Sequence, residues 1–176
     1  MTAQALLERG DDGQRWELVE GELIELVPAG FEHGQVSMRL GSRLDAYVEQ
    51  TGVGVVVAAE TGFHLARDPD TVRAPDVAFV AADRLPPRAV RQRFLDLAPD
   101  LVVEVVSPGD RPGEVAAKVR TWLVAGCRLA WVVYGVSGEV AVHTPDGAVV
   151  RLSTDDVLNG GDVLPGFRLA VADIFR

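Results

Sequence analysis

The sequence predicts an α/β fold in which helices flank a mixed β-sheet and β-hairpins are added at its margins. A strand–helix–strand unit spans residues 101–134, and such a unit makes its two strands parallel, with a right-handed crossover. Two further pairs of short strands, each separated by turn residues, indicate antiparallel hairpins. A hydrophobic fraction of 48% over 176 residues is ample for one core. We therefore expect one domain whose sheet contains both parallel and antiparallel pairs.

The domain is expected to span residues 13–176, after a loose or briefly helical N-terminal lead over residues 1–12. No Ser/Gly-rich linker, low-complexity tract or repeat divides it. No segment approaches the ~20 apolar residues of a membrane helix, and the N-terminus does not resemble a signal peptide. The single cysteine, Cys127, cannot form an internal disulfide, which is typical of a reducing compartment. We therefore expect a cytoplasmic protein without membrane association.

The first half of the chain alternates short strands with one long helix. Strands at 16–19 and 23–27 form a predicted hairpin around the turn at 20–22. A helix is predicted at 33–49, because apolar residues recur there at helical spacing. Shorter apolar runs predict strands at 53–58, 62–65 and 77–80.

The second half contains the strand–helix–strand unit. Its strands are predicted at 101–106 and 128–134, and its helix at 113–125 begins after Pro112 and ends before Gly126. The remaining predicted elements are a hairpin of strands at 139–143 and 148–152, a short strand near Phe167 and a last helical turn.

Glu104 is a carboxylate inside the apolar run LVVEVV. Side chains alternate along a strand, so Glu104 shares a face with Val102 and Val106 and is expected to be buried. An unpaired buried carboxylate is costly, so Glu104 needs a cation, which could be a metal, a Lys or an Arg. The alternative is an exposed edge strand with Glu104 in water, against which the apolar flanks argue.

Lys118 is the only lysine among 17 basic residues, and it lies on the predicted helix after Glu104. It shares an inward-facing stripe with Val115, Val119 and Trp122. Glu104 lies three residues before Ser107, roughly 10 Å back along its strand. Lys118 lies six residues beyond Pro112, roughly 9 Å along a helix that packs antiparallel to that strand. The two charges should therefore stand at the same height. The alternative is a surface pair between Glu114 and Lys118.

Asp76 opens the apolar strand at 77–80 directly after Pro75. Taken alone, this pair is a weak signal, because Asp is common near turns and Pro is normal at a strand's first residue. Together with Glu104 and Lys118 it gains meaning. Two carboxylates at adjacent strands with a nearby ammonium can bind a hard divalent ion such as Mg²⁺ and a water.

These segments resemble a known family, the Uma-type putative restriction endonucleases of the PD-(D/E)xK nuclease superfamily. The resemblance lies in Pro75-Asp76, in EVVSPGD at 104–110, in Lys118 and in AGCRLAWVVY at 125–134. The opening WELVEGELIELVPAGFEHGQV is similar to the family's N-terminal hairpin and His-containing helix start. Val106 stands where the superfamily motif has its lysine, and Lys118 looks like the replacement. The resemblance covers nearly the whole chain and implies a restriction-endonuclease-like architecture.

The resemblance also implies roles for individual residues. Asp76 and Glu104 would hold Mg²⁺ or Mn²⁺, with the carbonyl of Val105 as an additional ligand. Lys118 would orient the attacking water and stabilise charge on the phosphate. Two accessory residues are His33, for a second metal or a water, and Glu22, which could reach the site from the hairpin. A local hydrogen bond at the helix end is the alternative for His33.

The net charge of −9 counts against binding to nucleic acid, which depends on neutralising phosphates. A bound metal would offset this, and four arginines before Glu104 form either a basic ridge or a solvated loop: Arg84, Arg88, Arg91 and Arg93. No zinc-ligand spacing, P-loop or GxSxG motif is present. The sequence thus favours a metal-dependent endonuclease acting on DNA as a homodimer. The alternatives are a non-catalytic binding or assembly module with an ionic core, and a hydrolase of small phosphoesters.

Overall fold

The computed structural model describes residues 1–10 and 13–176. Its helices and strands follow one another in this order: α1 (Ala3–Glu8), β1 (Arg15–Val19), β2 (Glu22–Leu26), α2 (Phe31–Thr51), β3 (Gly54–Ala58), β4 (Phe63–Ala66), β5 (Thr71–Arg73), β6 (Val77–Ala81), β7 (Leu101–Val106), α3 (Pro112–Val124), β8 (Leu129–Tyr134), β9 (Glu139–His143), β10 (Val149–Leu152), β11 (Val157–Gly160), β12 (Leu164–Ala170) and α4 (Ala172–Phe175).

A six-stranded sheet forms the centre, in the order β10-β9-β8-β7-β6-β3. Only the β7–β8 pair is parallel, and the other neighbours are antiparallel. α2 covers one face and α3 the other, so the sheet is buried on both sides at β7 and β8. The predicted mixed sheet flanked by helices is therefore confirmed, and so is the parallel strand–helix–strand unit.

Two smaller sheets accompany the central sheet, whereas the predicted hairpin of β9 and β10 forms one edge of the central sheet itself. The first has the order β2-β1-β5-β4, and the second pairs β11 with β12. The predicted hairpin of β1 and β2 turns through Glu20 and Gly21, both with positive φ, as a two-residue turn between twisted strands requires. β5 and β11 are absent from the predictions, because three or four residues are too few for alternation to be visible.

The N-terminal lead is helical at α1, and Ala3 and Leu6 are buried against Leu18 and Val72. Residue 12, the last residue of the predicted N-terminal lead, lies outside the described residues. Cys127 is fully buried before β8, where burial raises the pKa of its thiol to about 12. Among the helices described, none is both long and apolar enough to cross a lipid bilayer.

Candidate active site

Asp76 and Glu104 meet where β6 and β7 pair. Asp76 precedes β6, and its backbone N–H donates to the Val103 carbonyl at 3.1 Å. The register pairs Val77 with Val103, so extending it by one residue places Asp76 opposite Glu104. The Val105 N–H donates to Asp76 Oδ2 at 2.7 Å, which fixes this carboxylate beside the backbone of β7.

Glu104 is buried, with 7% of the residue exposed, and each of its oxygens has a donor. Lys118 Nζ donates to Oε2 at 2.9 Å, and Trp122 Nε1 donates to Oε1 at 2.7 Å. Lys118 and Trp122 lie one turn apart on α3, as the predicted inward stripe requires. The structure therefore brings Glu104 and Lys118 together. The alternative surface pair does not form, because Glu114 instead bridges to Arg111 at 3.5 Å.

A third carboxylate, Glu17 of β1, completes the cluster and was absent from the candidates drawn from the sequence. Glu17 Oε1 lies 3.4 Å from Lys118 Nζ. The other oxygen, Oε2, accepts from Arg73 Nη1 at 2.6 Å. The signal that singled out Glu104, a carboxylate within an apolar strand, was also present at Glu17 in the segment WELV. Its partners could not be foreseen, because Arg73 and Lys118 are remote in sequence.

Of the two accessory candidates, His33 contacts the cluster and Glu22 does not. His33 lies in the first turn of α2, and its Nε2 is 3.2 Å from Asp76 Oδ2. The hydrogen bond to Asp76 raises the pKa of His33, although partial burial opposes the rise. Glu22 is exposed at the start of β2, and no contact described here joins it to Asp76, Glu104 or Lys118.

Burial and charge oppose each other at the centre of the cluster. Burial raises the pKa of Glu104 to about 7, against the attraction of Lys118, and the neighbouring Asp76 adds to the rise. Burial works to lower the pKa of Lys118, but the charges of Glu104 and Glu17 outweigh it and raise that pKa. Lys118 therefore stays protonated, whereas burial holds the pKa of Glu104 well above its usual range.

The donors of this cluster fit a small divalent cation that keeps several waters. Mg²⁺ typically binds one or two carboxylates in this way. Glu104 would bind the cation by exchanging its hydrogen bond from Lys118 for the metal, while Trp122 still donates to its other oxygen. Since N–H and C=O of a strand residue point to the same edge, the Val105 carbonyl faces the side of Asp76. Within the described residues, no three His, Cys, Asp or Glu side chains are grouped to hold a metal, so backbone oxygen and water would complete the shell.

The raised pKa of Glu104 predicts that this residue makes folding less favourable as pH rises from about 4.5 to about 7. In that window the unfolded chain releases the proton and the folded chain retains it. Glu104→Gln removes the titration. The unfolding free energy of the parent should therefore fall relative to Glu104→Gln by roughly 1–3 kcal/mol across this window and level off above it.

Urea titrations at several pH values, with a chelator present, measure this difference. The comparison with Glu104→Gln matters because two histidines also make stability depend on pH. The contribution of His33, whose pKa is raised, falls as pH rises, whereas that of His143, whose pKa burial lowers, rises with pH. Both histidines are common to the two chains, so their effects largely cancel. A difference that stays constant between pH 5 and pH 7.5 would show that Glu104 is not a buried titrating group.

The fold of this chain is shared with a known structure. A solved structure described as "a putative nuclease belonging to DUF820 from Anabaena variabilis" superimposes with a TM-score of 0.86. The two share 18% sequence identity, and the match covers 99% of this chain and 97% of the other, which establishes the common fold. No curated protein matches the chain.

The family itself is established by sequence. The model of the Uma2 family, described as "Putative restriction endonuclease", matches residues 3–172, and the chain belongs to that family. The resemblance seen in the motifs at 75–76 and 104–110 is thereby confirmed.

Proposed function

We propose that this protein is a metal-dependent endonuclease that hydrolyses phosphodiester bonds in DNA, with Mg²⁺ or Mn²⁺ as its cofactor. The observation that carries the proposal is the meeting of Asp76, Glu104 and Lys118 at the paired ends of β6 and β7. Membership of the family described as "Putative restriction endonuclease" supports a polymeric nucleic acid as the substrate.

Each residue of the trio would have a distinct task. Asp76 and Glu104, with the Val105 carbonyl, would hold the cation. When bound, a divalent cation polarises a phosphoryl oxygen and lowers the pKa of a bound water. Lys118 would orient the attacking water and stabilise the negative charge that develops on the phosphate. His33, bonded to Asp76, would fix the orientation of that carboxylate and exchange protons close to neutral pH.

The acidic surface makes tight non-specific binding to DNA unfavourable. Of the four arginines considered as a basic ridge, Arg84 is engaged by the fully buried Asp100 at 2.9 Å. Arg88, Arg91 and Arg93 remain exposed. A ridge of three arginines with a net charge of −9 for the chain implies weak binding that salt disrupts easily. A structured or partner-presented DNA would suit such a surface better than a long plain duplex.

A non-catalytic binding or assembly module is the second candidate, and one observation favours it. Lys118 contacts Glu104 directly, and with Glu17 and Arg73 it forms an ionic network that is already paired without a cation. Such a module would have no affinity for Mg²⁺ or Mn²⁺. The nuclease proposal instead requires that Glu104 can exchange this pairing for a metal.

Calorimetry with Mg²⁺ and Mn²⁺, followed by cleavage assays, separates the candidates. The assays would use duplex, single-stranded and branched DNA, an RNA of matched sequence, and simple nucleotides. The proposal expects ion binding and cleavage within one of the DNA forms. Ion binding with hydrolysis of nucleotides alone would instead indicate a small-phosphoester hydrolase. If the protein neither binds the ions nor cleaves any substrate, the non-catalytic module with an ionic core is the remaining candidate.

A homodimer is also proposed, because edge strands need cover and two active sites are needed to cut both strands of a duplex. β10 is one edge of the central sheet, and Val149 and Val150 on it are exposed.

The parent should have a dimeric mass by light scattering at micromolar concentration. Val150→Lys should produce monomers, because a charge on the edge opposes strand pairing. Val136→Lys, in an exposed turn, is the matched control. A monomeric parent would exclude the dimer.

A further inference from the structure

A buried carboxylate from a different sheet reaches the candidate active site. Glu17 lies on β1 of the four-stranded sheet, whereas Glu104 lies on β7 of the six-stranded sheet. The Glu17 side chain is 2% exposed, and its Oε1 is 3.4 Å from Lys118 Nζ. Burying a carboxylate is costly unless it is paired. The proposed chemistry assigns no task to this residue.

Three acceptors surround the Lys118 ammonium. They are Glu104 Oε2 at 2.9 Å, the Ala74 carbonyl at 3.1 Å and Glu17 Oε1 at 3.4 Å. The contacts with Glu104 and Ala74 are hydrogen bonds, and the contact with Glu17 is an ion pair. Of the three, only Glu104 is a candidate metal ligand. The other two partners lie outside the proposed coordination shell.

Glu17 is itself held by groups other than Lys118. Arg73 Nη1 donates to Oε2 at 2.6 Å, and the Ala74 N–H donates to Oε1 at 3.0 Å. Ala74 thus donates to Glu17 and accepts from Lys118, which closes a ring of three residues. Asp76 follows two residues later, so the same ring also fixes the backbone that leads to Asp76. Arg73 neutralises part of the charge of Glu17 and keeps its carboxylate in one orientation.

We propose that Glu17 is the positioning residue that retains Lys118 beside the active site when Glu104 binds a divalent cation. The inference rests on the proposed function. When the oxygens of Glu104 turn to a metal, Lys118 loses its nearest partner. Glu17 and the Ala74 carbonyl then hold the ammonium in place, so that it remains available to the water and the phosphate.

The single lysine allows a direct test on the full chain. Protein labelled with ¹³C- and ¹⁵N-lysine gives the side-chain signal of Lys118 alone. In the parent this signal should report an ordered ammonium with and without Mg²⁺. Glu17→Gln should shift the signal and lower its order, most strongly in Mg²⁺, while Mg²⁺ affinity changes little. Cleavage should fall by roughly 10- to 100-fold, chiefly in kcat, because a reacting group is misplaced rather than removed.

Two further variants keep the test decisive. Glu25→Gln, on exposed β2, is the matched control and should leave the Lys118 signal and cleavage unchanged. Glu17→Asp keeps the charge facing Arg73 but shortens its reach, so it carries the test if Glu17→Gln does not fold, and it should show the same loss of Lys118 order. A Lys118 signal that is independent of Glu17 in a chain that cleaves DNA would overturn this inference alone. A parent that binds no Mg²⁺ would overturn it together with the proposed function.

Discussion

Lys118→Arg should fold and bind Mg²⁺ like the parent, yet lose most of its cleavage. Lys118 Nζ fits within 3.4 Å of three acceptors, a setting suited to a compact ammonium and not to a planar fork of five donors. The positive charge would be retained but displaced from the water and the phosphate. Loss of a positioned charge in such a site typically costs on the order of 10²-fold or more in rate. Steady-state cleavage of the preferred DNA form measures the effect.

Lys118→Met should lose cleavage to the same extent and also lose stability. Its stem can still pack against α3 neighbours, but Glu104 and Glu17 would share a buried site without the ammonium. Removal of one partner from a buried ion pair typically costs about 3–5 kcal/mol. Arg120→Lys, on the exposed side of α3, is the control for exchanging the two basic residues. Parent-like cleavage by Lys118→Arg would mean that Lys118 is only a structural partner of Glu104 and Glu17.

Asp76→Asn and Glu104→Gln should each remove most of the affinity for Mn²⁺ and most of the cleavage. Mutation of a residue that only hydrogen-bonds to a metal ligand typically lowers metal affinity by about 10- to 100-fold. Loss of a ligand itself should therefore lower it by at least about 100-fold. Glu104→Gln should still fold, because Lys118 keeps Glu17 and the Ala74 carbonyl as partners. Calorimetry with Mn²⁺ measures the affinity. Melting curves give a second readout, because an ion that binds only the folded site raises Tm.

Matched substitutions on the surface separate this effect from a general loss of charge. Glu114→Gln on α3 and Asp83→Asn near the end of β6 change exposed carboxylates and should leave Mn²⁺ binding unchanged. Undiminished binding in both Asp76→Asn and Glu104→Gln would contradict the assignment of the metal site. In that case the ionic network of Glu104, Lys118 and Glu17 would be structural.

The fold could be predicted largely because its signals are local. The parallel strand–helix–strand unit follows from an apolar run, a proline at the first helical position and a second apolar run. The order of strands in the central sheet has no such signal. β3 pairs with β6 although β4 and β5 intervene, because those two strands join β1 in another sheet. Which strands leave for a second sheet depends on packing between distant segments.

The site could be predicted in part for the same reason. Glu104 and Lys118 are 14 residues apart in one unit, so strand and helix geometry placed them together. Asp76 was a weak signal alone, because an aspartate beside a turn is commonplace, and it became a candidate only in combination with Glu104 and Lys118. Glu17 meets Lys118 because the β1–β5 pair holds Glu17 beside Arg73 and Ala74, and Lys118 donates to the Ala74 carbonyl. No spacing in the sequence reports such a contact.

Anomalous diffraction from crystals soaked in Mn²⁺ tests the central claim most directly. The account predicts one strong anomalous peak at roughly 2 Å from an oxygen of Asp76 and an oxygen of Glu104, with Lys118 still paired with Glu17 and hydrogen-bonded to the Ala74 carbonyl. The matched crystal of Glu104→Gln should lose the peak. Absence of any peak between Asp76 and Glu104 at saturating Mn²⁺, with Lys118 still bridging to Glu104, would contradict the account and favour an ionic core without metal.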